Sequence, residues 1–118
     1  MSALILLCAD HPLPGTVKPD GFSVQGHEYY REAVNDLGLM MKPCRYELDL
    51  QATEGAAAEL RAYLEKHLRP GEDVELWNLW VGDGPARPSR FFGSLKDVAA
   101  DTLEQLEEQS QTCLTIRI

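Results

Sequence analysis

Cys8 and His11 stand three positions apart in "CADH", directly after an apolar run. A thiol and an imidazole at this spacing supply half of a zinc site, or a nucleophile with its base. A zinc site needs three or four protein ligands, and His27, His67 and Cys44 fall on other segments. No metal and no cofactor is therefore expected. A catalytic pair also needs a group to orient the histidine, and none is identifiable. A buried strand-end cysteine beside a loop histidine explains the pair equally well.

A second cluster is "GDGPARPSR", residues 82 to 90, with two glycines and two arginines. Glycine-rich backbone cradles anions, and arginine forks bind them. The P-loop and dinucleotide fingerprints are both absent. A hairpin loop, with Gly82 and Gly84 supplying positive φ, accounts for the same residues. Together Cys8, His11, Arg87 and Arg90 make up one reading, a small enzyme or an anion or ligand site where the ends of the first and third strands meet.

The competing reading rests on surfaces. In "VELWNLWV", residues 74 to 81, alternation puts Val74, Leu76, Asn78 and Trp80 on one face and Glu75, Trp77, Leu79 and Val81 on the other. Neither face is polar. If helices cover only one side of the sheet, one tryptophan lies in the open, and an exposed aromatic patch marks an interface. Glu75 marks its own face as the wetter one, so Trp77, with Leu79 beside it, is the expected anchor. Asp101, Glu104, Glu107 and Glu108 line the outer side of a helix near the C-terminus. Solvation alone explains them, but the same strip also suits Lys or Arg on a partner.

The elements that carry these residues follow from periodicity. "ALILLCA", residues 3 to 9, is apolar throughout and reads as a central strand buried on both faces. The Pro- and Gly-bearing "DHPLPGTVKPDG" reads as an irregular loop, and "FSVQ" as a short edge strand. Residues 26 to 38 place Tyr30, Val34 and Leu37 on one helical face, with Gly38 at the C′ position. "CRYELDL", residues 44 to 50, alternates as a half-exposed strand. Residues 53 to 71 form a helix with Ala57, Leu60, Leu64 and Leu68 as its buried stripe, stopped by Pro70-Gly71.

After the tryptophan strand, "SRFF" reads as its hairpin partner. Residues 94 to 109 form a helix capped by Ser94, with Leu95, Ala99, Leu103 and Leu106 inward; its start can slip as late as Ala99. "TCLTIRI" closes the chain as a strand. The expectation is one α+β domain over residues 1–118, a two-layer α/β sandwich. It has a mixed sheet of four to five strands and about three helices, in the order β-α-β-α-β-(β)-α-β.

Composition bounds the function. The chain has 118 residues, 44% hydrophobic and 25% charged, with a net charge of −8 at pH 7. So acidic a surface repels nucleic acid and anionic lipid. Three cysteines on separate strands suit a reduced, cytoplasmic protein better than a disulfide framework. The first residues carry no basic region or cleavage site and are too short to span a bilayer.

The leading expectation is a non-enzymatic module that binds a protein partner of basic character and occludes it. In that reading Trp77 and Leu79 anchor, Arg87 and Arg90 contribute contacts, and Asp101, Glu104 and Glu108 steer. Self-association through the open sheet face is the plainer form of the same idea. No family is recognised in these residues. Small acidic bacterial inhibitors of toxins or nucleases share the physical profile, as an analogy of class alone.

Overall fold

The computed structural model describes residues 2–18, 22–26, 31–81 and 87–118. It is an α+β fold on one mixed sheet. In chain order the elements are β1 (Ser2–Ala9), β2 (Thr16–Lys18), β3 (Phe22–Gly26), α1 (Arg31–Asn35), β4 (Cys44–Leu50), α2 (Glu54–His67), β5 (Asp73–Val81) and β6 (Ser89–Ser94). A 3-10 turn (Leu95–Asp97), α3 (Ala100–Glu107) and β7 (Thr112–Arg117) complete the chain. The strands lie in the order β2-β3-β4-β1-β5-β7-β6. Every neighbouring pair is antiparallel except β6 and β7.

The apolar run of β1 does place it at the centre. Leu7 and Ala9 pack toward α2 and α3, while Leu6 and Cys8 pack toward the opposite face. The larger core joins Leu7, Tyr46, Leu76 and Leu114 of the sheet to Ala57, Leu60 and Leu64 of α2 and Leu103 and Leu106 of α3. Thr53 caps α2 by accepting from the Ala56 N–H at 3.1 Å. Gly71, four residues past its end, takes a φ of 91°, a conformation that glycine alone adopts freely.

The strand count is seven rather than four or five. The difference lies in β2 and β3, short strands among prolines and glycines that pair with each other and, through β3, with β4. "FSVQ" is thus the second strand from one edge. The helix expected over residues 26 to 38 is described only as Arg31–Asn35; Tyr30 lies outside the described residues. Val34 and Leu37 are buried, and Gly38 has the expected positive φ, 69°. The helix expected from Ser94 begins at Ala100, after the 3-10 turn. Its first turn is tied to α2, because Glu54 accepts from the Ala100 N–H at 2.9 Å and Arg61 donates to the Val98 carbonyl.

Two expectations are corrected. "SRFF" does not form a hairpin with the tryptophan strand, because β7 lies between them and pairs with β5 on one side and β6 on the other. Cys113, Leu114 and Ile116 make β7 apolar on both faces, so it takes the inner place and leaves the more polar β6 at the edge.

The second sheet face is also not open at Trp77. Val34, Leu37, Leu39 and Met41 cover Leu6, Cys8, Trp77, Leu79 and Cys113. The covering segment is pinned by polar contacts: Glu75 accepts from the Lys42 N–H at 2.9 Å, Lys42 Nζ donates to Asp10 at 2.7 Å, and Arg45 Nε donates to the Lys42 carbonyl at 2.9 Å. A two-layer sandwich over most of the sheet thus gains a third layer above β1 and β5.

Candidate functional site

The strongest site geometry lies where the helix layer stops short of the sheet's end. There β5 runs past the start of β7, since Thr112 pairs with Asn78 and no residue of β7 pairs with Trp80. The side chain of Gln111 fills that place. Its Oε1 accepts from the Trp80 N–H at 3.2 Å, and its Nε2 donates to the Trp80 carbonyl at 2.7 Å. A side-chain amide thereby stands in for a backbone peptide and extends the ladder by one residue. Gln111 is buried and holds a φ of 55°, an uncommon backbone conformation for a residue that is not glycine.

Asn78 does the complementary work. It is buried in the middle of an otherwise apolar strand, and its Nδ2 donates to the carbonyls of Leu106 at 3.1 Å and Gln109 at 2.9 Å. The end of α3 is thereby bolted to the floor of β5. Between them lies a cleft of about 330 Å³, lined by Ile5, Leu48, Leu50, Trp80 and Glu107; Glu47 and Asp49 border it too, but they alternate with Leu48 and Leu50 along β4, so their carboxylates turn to the opposite face. Among the described residues no Lys, Arg or His lines the cleft. Trp80 is 42% exposed there. The site is an indole shelf, held at both backbone polar groups, in a largely apolar concavity with the Glu107 carboxylate at its α3 wall. Such a surface takes a group with an apolar stem and a positive head.

The acidic strip adjoins this cleft. Asp101, Glu104 and Glu107 belong to α3 and Glu108 is its C-cap; the helix packs on the same sheet face as Trp80, and all four are exposed. Trp77 and Leu79 lie on the opposite face and are fully buried. The expected anchor is therefore misplaced: Glu75 does not mark a wet face, because its carboxylate accepts the indole N–H of Trp77 at 3.2 Å. Arg90 stacks its guanidinium 5.0 Å from the ring centre of Trp77, closing that face from solvent.

The residues of the enzyme or ligand reading are not assembled. Cys8 is fully buried, and desolvation pushes its thiol far above the ordinary range, with the charge of Glu75 adding to the effect. Its partner in the motif, His11, is turned to Glu72, with 2.9 Å between Nε2 and Oε2. Arg87 is exposed. Cys8, His11 and Arg87 line neither the Trp80 cleft nor the two other cavities described; Arg90 lines a small one of about 180 Å³ between β6 and α3. Cys113 is likewise buried, its thiol raised to about 11 by desolvation and Glu75. All three cysteines are free. Among the described residues no group of three or more His, Cys, Asp or Glu has the grouping of a metal site.

Comparison with protein-family models, with curated proteins and with solved structures finds no match to this chain. Among the described residues no helix is long and apolar enough to cross a membrane. The residues missed by sequence reasoning are Asn78, Gln111 and the choice of Trp80, whereas Glu107 was already part of the acidic strip. One signal pointed to them: Asn78 interrupts an apolar strand, and a buried amide needs partners nearby.

Proposed function

We propose that this protein is a non-enzymatic binding module that captures a basic segment of a partner protein and occludes it. The observation that carries the reading is the Trp80 shelf, pinned by Gln111 over an apolar cleft that Glu107 joins to the acidic face of α3. A Lys or Arg side chain would lay its stem on Ile5 and Leu50 and its charge between Trp80 and Glu107. The acidic strip would raise the encounter rate, and the aromatic contact would set the dwell time.

The test uses the two tryptophans as reporters. Trp77 is fully buried, so changes in tryptophan emission on binding come from Trp80. Titration with short Arg- and Lys-containing peptides should shift that emission, and binding should weaken as salt rises. Acidic peptides of the same length should not bind. Trp80→Ala should weaken capture about fivefold to thirtyfold, from the ~1–2 kcal/mol of a partly desolvated cation–π contact. Basic peptides that bind the Trp80→Ala variant as well as the native chain would sink the proposal.

A further inference from the structure

The edge of the sheet opposite β2 offers a second and independent surface. β2 is three residues long, which blunts its own edge. β6 is six residues long, and among the described residues no strand pairs with its outer side. The Ser89 N–H donates to the Gln111 carbonyl at 2.9 Å. In a parallel ladder alternate residues direct both backbone groups to the same neighbour. Ser89, Phe91 and Gly93 therefore bond to β7, and Arg90, Phe92 and Ser94 direct their N–H and C=O groups outward. Pro88 is the next outward position and has no N–H, so the free edge ends there.

Phe92 is 77% exposed on this edge, and the carbonyl of Met40, itself 85% exposed, is 3.5 Å from Arg90 Nη2. Aromatic, Met and Arg side chains are those enriched in protein interfaces. Among the described residues this edge has no bulge, no lysine within the strand and no covering helix on its outer side.

We infer that β6 pairs antiparallel with β6 of a second copy of this chain, about a two-fold axis through Phe92. The outward groups select that register. With Phe92 opposite the second copy's Phe92, Arg90 falls opposite its Ser94 and Ser94 opposite its Arg90, so all three outward residues exchange backbone bonds. Shifting the axis to Phe91 leaves Ser94 facing a proline and loses a pair. On the other face the Phe92-centred register lays Phe91 over the second copy's Gly93, where an aromatic ring covers a position without a side chain.

The experiment is sedimentation equilibrium on the full chain across a range of concentrations. A dimer is expected. Phe92→Lys should give the monomer mass with an unchanged circular dichroism spectrum, because it places two like charges face to face on an exposed position. The register is read separately by cysteines introduced in a Cys44→Ser background. Phe92→Cys should form an intermolecular disulfide on oxidation, since the two α-carbons of a bonded antiparallel pair stand about 5.5 Å apart. Arg90→Cys should not. A native chain that stays monomeric, a dimer that survives Phe92→Lys, or cross-linking through Arg90→Cys in preference to Phe92→Cys would each overturn the inference.

Discussion

The amide of Gln111 is the most informative single group to remove, because two opposing terms meet at one residue. Its two bonds to the Trp80 backbone contribute about 1 kcal/mol each. Its φ of 55° costs a residue with a β-carbon about 1 kcal/mol. Gln111→Ala loses both bonds and keeps the strained backbone, so it should destabilise by about 2 kcal/mol, a fall in Tm of roughly 8 °C for a domain of this size. Gln111→Gly loses the same bonds but relieves the backbone. It should cost only about 1 kcal/mol, or roughly 4 °C.

Binding should not follow that order. Both variants release Trp80 equally, so both should show the same rise in acrylamide quenching of tryptophan fluorescence and the same loss of affinity for basic peptides. Thermal melts by circular dichroism measure the first effect and quenching the second. If Gln111→Gly proves less stable than Gln111→Ala, or quenching is unchanged in both, then Gln111 is not the pin described here.

The thiols and the acidic edge give two further tests. Cys8 and Cys113 are buried with raised thiol pKa values, whereas Cys44 is half-exposed, so a thiol reagent at pH 8 should label one cysteine rapidly in the native chain and three after denaturation. Rapid native labelling at Cys8 would contradict its burial. Asp73 is held below the ordinary carboxylate range by its hydrogen bond from Arg117, and Glu72 by the Arg69 N–H and then by His11. A carboxylate with a depressed folded pKa contributes stability above its unfolded value, about 4, and loses it as pH falls through the folded one. Tm should therefore drop between about pH 5 and pH 2, and Arg117→Ala should make that drop shallower; an equal drop in the variant would remove Asp73 from the account.

Much of this fold is legible in the residues because some segments admit one environment only. The run through Leu4–Ala9 is apolar at every position and has to be covered on both faces. Ala57, Leu60, Leu64 and Leu68 fall on one stripe of α2, and all four are buried. What escaped has a common physical cause: it depends on which parts of the chain meet. Alternation separates Trp77 from Trp80 but does not say which face receives a cover. That is settled by the segment from Val34 to Met41 and by the contacts of Glu75 and Lys42, which join positions 33 residues apart. The hairpin expected of "SRFF" failed for the same reason, since a later strand with two apolar faces displaced it. The cleft was legible only at Asn78, whose polarity was visible and whose partners were not.

The two proposed surfaces divide the chain's charge between them, and this has a consequence for affinity. Carboxylates gather along α3 beside Trp80, while the guanidinium of Arg90 lies on the opposite face, over Trp77 and within reach of the Met40 carbonyl. A basic partner at the cleft and a second copy at the β6 edge therefore do not compete. Pairing through β6 would present two Trp80 clefts in one assembly. A ligand carrying two basic segments on a linker long enough to span them would then bind more tightly than either segment alone. Phe92→Lys should abolish that gain and leave the affinity for a single basic peptide unchanged, whereas Trp80→Ala should reduce both. Calorimetry with one-segment and two-segment peptides separates the cases. A Phe92→Lys variant that weakens the single-segment peptide would mean that the edge and the cleft are not independent, and that the partner reaches across both.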